Sequence, residues 1–135
     1  MYLYGSSLKT LFIIWFRCCA VHLFDEFADL LDHTNNYASA VIIGDVNIHL
    51  DNATDAATVS FVLLLSSYNL TQVVQSLTQT AGHLLDVVIV RAGTLVLRVN
   101  VPPPPAGLSD HSMIDVVFDL RYISQYESVS VRRRA

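Results

Sequence analysis

Apolar and polar positions divide the chain into runs of different period. In residues 24–33 (FDEFADLLDH), Phe24, Phe27, Leu30 and Leu31 recur at intervals of three and four, with Asp25, Glu26, Asp29 and Asp32 opposite. That period predicts an amphipathic helix with a solvated acidic face. Residues 41–44 (VIIG) and 84–90 (LLDVVIV) are short, nearly unbroken apolar runs, as strands buried on both faces require. In residues 94–101, Leu95, Leu97, Val99 and Val101 alternate with Arg98 and Asn100, which predicts a half-buried strand. Thr54 or Asp55 can cap a second helix running to about Tyr68, buried through Val59, Val62, Leu63 and Leu65 and ended by Asn69. Short strands are expected at 71–74 and 113–120, with a polar loop containing Gly82 at 78–83. The four prolines at 102–105 make a stiff connector that cannot join a sheet. The tail from Arg121 is polar and expected to fray.

The most apolar stretch, residues 8–24, is interrupted by Lys9, Arg17 and His22, so it falls short of a bilayer-spanning length. A signal peptide could start at Lys9, but its apolar core, 11–16, would be short and Arg17 ends it. A core segment is the better reading, and neither secretion nor a membrane is expected. Asn52-Ala53-Thr54 matches a glycosylation acceptor, which matters only in a secreted protein.

Composition sharpens this picture. The chain has 135 residues, enough for one domain, and is 53% hydrophobic with only 15% charged residues. Either both faces of a sheet are buried, or some apolar surface expects a partner. The net charge of −4 disfavours a module that grips nucleic acid by charge alone. A hydrolase acting on phosphodiesters escapes that objection when divalent cations neutralise its carboxylates. Cys18 and Cys19 are adjacent, which suits two buried small hydrophobes better than a disulfide or a zinc site.

Chemistry-bearing residues gather at two places. Asp45, Asn47 and His49 follow Gly44 at every second position. If the chain stays extended there, a carboxylate, an amide and an imidazole share one side at the carboxyl end of a buried strand. Open α/β sheets keep their sites at such ends. Asp86 interrupts LLDVVIV, and a carboxylate in a buried run must be paired or hydrogen-bonded. His83, in a polar loop, reads as a surface residue.

Three segments then line up in order: GDVNIH at 44–49, TQTAGHLLD at 78–86 and LSDH at 108–111. Together they resemble the downstream half of the endonuclease/exonuclease/phosphatase superfamily, the deoxyribonuclease I-like fold. Within it the wording is similar to the endonuclease domain of LINE-type non-LTR retrotransposons, and FDEFADLL fits the same subfamily. The resemblance implies an α/β fold, a partial two-sheet sandwich lacking its upstream strands. It divides the chain into an unmatched apolar segment (1–22), the C-terminal half of the family domain (23–120) and a polar tail (121–135).

The resemblance also assigns roles. Asp45 would position or deprotonate the attacking water, and Asn47 would hold that water or a phosphate oxygen. His111 would stabilise charge developing on the phosphate, with Asp86 behind it fixing its tautomer. Asp110, with Asp45, would ligate Mg²⁺ or Mn²⁺. Ser109 and Thr80 would give supporting hydrogen bonds, and His49 would face the site. The family's first-strand asparagine and metal-binding glutamate have no counterpart, because nothing before Phe24 is Asn, Asp or Glu.

The implied function is therefore a truncated endonuclease domain, with DNA as ancestral substrate and weak activity alone, intracellular and nuclear. A phosphomonoesterase of the same superfamily is the enzyme alternative. A non-catalytic remnant, self-associating or binding a protein through an apolar face, is the other.

Overall fold

The computed structural model describes residues 2–5, 10–15, 23–119 and 127–130, with side chains for 23–119. Cys18, Cys19 and Arg17 lie outside the described residues. Ten elements follow one another: β1 (Tyr2–Gly5), β2 (Thr10–Trp15), α1 (Leu23–Thr34), β3 (Ser39–Asp45), α2 (Ala56–Ser67), β4 (Leu70–Gln72), β5 (Asp86–Arg91), β6 (Val96–Asn100), β7 (Asp115–Phe118) and β8 (Glu127–Ser130). Six strands form one mixed sheet in the order β4-β5-β3-β2-β1-β8, and β6 pairs with β7 in a second, two-stranded sheet. Of the pairings, β2–β3 is parallel, joined through α1, and the others are antiparallel. The described residues form an α/β fold with two sheets and two helices.

Alternation along β3 and β5 builds the layers. Ala40, Ile42, Val87 and Ile89 face the helices, where they pack with Phe27, Leu30 and Leu31 of α1 and Phe61 and Leu65 of α2. Val41, Val88 and Val90 face the other way, against Val96 and Val99 of β6 and Val116 and Phe118 of β7. A strand buried on both faces needs an unbroken apolar run, which is why VVIV (87–90) and AVI (40–42) carry no polar residue. Phe27 stacks on Phe61 with ring centroids 5.4 Å apart, tying the two helices together.

Some expectations need correcting. The buried side of α2 is Thr58, Phe61 and Leu65, whereas Val59, Val62 and Leu63 are exposed. The helix is apolar nearly all round, so its sequence does not mark the face that packs. Asp55 caps it, accepting from the backbone N–H groups of Ala57 and Thr58. Asn69, at φ 55°, ends it in the left-handed region that asparagine tolerates. In β6 a register shift falls between Val96 and Arg98. That bulge turns Leu95 and Leu97 outward and leaves Val96, Val99 and Val101 inward. The expected clean alternation therefore fails at Leu97. Part of the polar tail is also ordered, since β8 pairs with β1. Segments before residue 23 and after residue 120 thus contribute strands to the same sheet as β3.

Candidate active site

The register of β3 on β5 sets Asp45 directly opposite Asp86, at the end of both strands. Parity places them on the side of Val41, Val88 and Val90, facing away from the helices. Beyond Asp45 the chain leaves regular strand geometry. Asn47 sits at φ 49°, and its backbone N–H donates to Asp45 Oδ1 over 2.8 Å. This Asx-type turn holds one carboxylate oxygen of Asp45. Backbone pairing nonetheless continues, with Val46 N–H donating to Leu85 O and Leu50 N–H to Leu84 O.

His111 reaches this edge from the loop before β7. Its Nδ1 lies 2.8 Å from Asp86 Oδ2, the partner that the buried carboxylate demanded. Both side chains are partly shielded, His111 at 32% and Asp86 at 18% exposure. The Asp86 hydrogen bond raises the imidazole pKa above its ordinary value of 6.5. Desolvation opposes this rise, and the charges of Asp86, Asp45 and Asp110 reinforce it. Among the described residues, one ligand atom each from Asp45, Asp86 and His111 lie within 4.8 Å of one another, a group that could hold a metal ion.

Asp110 is exposed and does not belong to that group, so Asp45 meets Asp86 and His111 in place of the expected Asp110. Its backbone carbonyl accepts from Thr80 N–H, and its charge acts on His111 from outside. Ser109 Oγ accepts from His111 N–H at 3.0 Å and shapes that turn. Asn47 is exposed beside Asp45. Thr80 is exposed and engages through its backbone, so the hydroxyl that organises the site belongs to another residue.

That residue is Thr78. Fully buried, its Oγ1 accepts from the N–H groups of both Leu85 and Asp86, each at 3.1 Å. Its carbonyl accepts from Ser112 N–H at 2.7 Å. One threonine thus fixes the start of β5 and the residue after His111. Between them, Gln79 forms isolated bridges to both His83 and His111. Nothing in TQT distinguishes Thr78 from Thr80 except which one the core covers.

His49 and His83 turn to each other. Their rings stack with centroids 3.9 Å apart, and His83 Nδ1 is 3.4 Å from Asp51 Oδ2. Asp51 Oδ1 accepts from Leu84 N–H, and that bond is the main reason its carboxyl is held below 3.8. His49 therefore joins a separate cluster instead of extending the line of Asp45 and Asn47, and His83 is not an isolated surface histidine.

The arrangement offers a carboxylate, a carboxylate–imidazole pair biased toward the cation, and open access at a strand end. Such a set can take or give a proton and stabilise an anion. No helix among the described residues is long and apolar enough to cross a membrane. No family model and no curated protein matches this chain.

Proposed function

We propose that the chain carries the downstream part of a metal-assisted phosphodiester-hydrolysing site of the deoxyribonuclease I-like type, ancestrally directed at DNA. The observation that carries this reading is the 2.8 Å Asp86–His111 pair beside Asp45. Those three residues come from three motif segments far apart in sequence. Hydrolysis needs an oriented water and a counter-charge for the phosphoryl oxygens. Asp45, with one oxygen held by Asn47 N–H, can use its other oxygen to orient or deprotonate water. His111, its pKa raised by the Asp86 hydrogen bond, is biased toward the cation and so can place positive charge where the phosphate develops negative charge. Asn47, exposed at the same turn, is positioned to hold a phosphate oxygen. Asp45, a hard oxygen donor, suits a divalent cation, which would supply charge neutralisation when bound.

The strand beside β3 bears on the strength of the activity. That place is taken by β2, whose sequence TLFIIW offers no carboxylate or amide. The glutamate and asparagine that the resemblance calls for have no substitute there. Activity on DNA is accordingly weak.

An activated diester separates the chemistry from DNA binding. With Mg²⁺ or Mn²⁺, the chain should hydrolyse bis(p-nitrophenyl) phosphate slowly, while nicking of supercoiled plasmid stays negligible. Asp45→Ala and His111→Ala should each lower the diester rate by about 10² to 10³, the usual loss for one electrostatic contributor. Equal rates in wild type and both variants would refute the assignment. Preference for a phosphomonoester would favour the phosphatase alternative, and inertness toward every substrate the non-catalytic one.

A further inference from the structure

We propose that Asp45, Asp86 and His111 form a binding site for a zinc-class ion, and that this ion and the Asp86–His111 hydrogen bond exclude each other. The proposal shares the site of the preceding reading but stands on its donor atoms, whether or not the chain cleaves a phosphodiester.

Geometry comes first. Four-coordinate zinc has bonds of about 2.0–2.2 Å to nitrogen and oxygen, so its ligand atoms sit about 3.3 Å apart. The three donor atoms here span no more than 4.8 Å, and Asp86 Oδ2 to His111 Nδ1 is 2.8 Å. Side-chain adjustments of an ångström or so bring all three onto one ion. Two of the donors lie face to face in a fixed strand register, and the third is pinned through Ser109, Thr78 and Gln79. The ligands are largely pre-organised, which limits the ordering cost of binding.

Donor chemistry chooses the ion. Two carboxylates and one imidazole make a mixed oxygen–nitrogen set of three protein ligands. That number leaves a fourth position for water, as in catalytic zinc sites. Mg²⁺ demands near-octahedral oxygen donors and gives up its waters reluctantly. Imidazole instead favours zinc and its later first-row neighbours. Two carboxylates also match the ion's double positive charge, leaving a neutral site at a partly shielded edge.

Competition follows from the shared atoms. The ring nitrogen that faces Asp86, Nδ1, is the one the hydrogen bond now occupies. An ion bound there displaces the Nδ1 proton to solvent, takes the freed lone pair and draws Asp86 to itself, so His111 can no longer serve as the carboxylate-paired cation. Zinc-class ions should therefore inhibit any reaction of this chain that needs His111 and that Mg²⁺ supports.

The test uses the full chain, freed of metal with a chelator and titrated with ZnCl₂ by calorimetry, and with CoCl₂ by visible absorption. One ion should bind per chain, with the intense absorption of four-coordinate Co²⁺, and millimolar Mg²⁺ should not displace it. Asp86→Asn and His111→Ala should weaken binding at least about 10-fold to 100-fold. A His49→Ala, His83→Ala double variant should bind as wild type does. Loss of binding in the double variant would instead put the ion on the stacked histidines and overturn the proposal. So would undiminished binding in Asp86→Asn and His111→Ala. Should those variants fail to fold, NMR of the wild type decides. Stoichiometric Zn²⁺ should move the His111 ring signals and leave those of His49 and His83 in place, and the reverse pattern refutes the site. No substrate is needed, so failure here and failure of the hydrolase reading are seen in separate measurements.

Discussion

His111 shows how one residue joins fold and chemistry. A lone imidazole at a loop titrates near 6.5, but here Asp86 accepts its proton and the folded state favours the cation. Because the folded pKa lies above the unfolded one, the pair's stabilisation is complete below 6.5 and is lost as pH rises through the folded value. In metal-free protein, an NMR titration should place His111 above 6.5, and Asp86→Asn should return it toward that value while flattening the loss of stability on the alkaline side. A His111 that titrates alike in both proteins would mean that the hydrogen bond does not govern its charge. The pair was legible in part: burial of the run LLDVVIV showed only that Asp86 needs a partner; that the partner is His111 of LSDH came from the family resemblance, and the 2.8 Å contact agrees with it. His49 was not legible in the same way. Alternation predicted its side of the chain, but the left-handed turn at Asn47 and the pull of His83 decided where its ring went.

Among the elements, those with a single period were the readable ones. Helix α1 carries its apolar stripe in the sequence, and β3 and β5 carry unbroken apolar runs. Helix α2 does not, because AATVSFVLLLSS is apolar on nearly every side and only packing selects Thr58, Phe61 and Leu65. The bulge in β6 leaves no mark in an alternating sequence either. Strand β8 is drawn in by pairing with β1, which no local pattern announces. Thr78 belongs with these hidden features, since a hydroxyl accepting from two backbone N–H groups has no sequence period. Its role can be measured. Thr78→Val keeps the shape but strands the N–H groups of Leu85 and Asp86, at a cost of about 1–3 kcal/mol each if both remain buried. Denaturant unfolding should show a loss of about 2 kcal/mol or more, whereas Thr78→Ser should recover most of it. A Val variant as stable as wild type would show that those groups find other acceptors and that Thr78 does not hold the start of β5.

At the scale of the whole molecule, the two faces of the large sheet are covered unequally. Among the described residues, both helices pack on one face, while β6, β7 and the loop residues Val74, Leu84 and Ile114 pack on the other. Ile43, in the middle of β3 and of the same parity as the buried Val41, is 40% exposed. Leu95, Leu97 and Met113 add apolar surface around the small sheet, and Val62 and Leu63 add it on the outer side of α2. This is the structural form of the high apolar content read from the sequence. The exposure explains that composition better than a fully closed core would. Apolar area left in water costs about 25 cal/mol per Å² relative to burial, so contiguous patches favour association. Isolated chain should therefore gain mass with concentration in sedimentation, and bind a hydrophobic-surface dye more than a closed domain of its size. Ile43→Thr keeps a β-branched side chain for the strand while removing apolar surface, so it should reduce both signals with little loss of stability. A wild-type chain that stays monomeric over a hundredfold concentration range, with weak dye binding and one sharp unfolding transition, would show otherwise. The uncovered face would then be closed within the single chain, and the unequal layering would not govern how the protein behaves in solution.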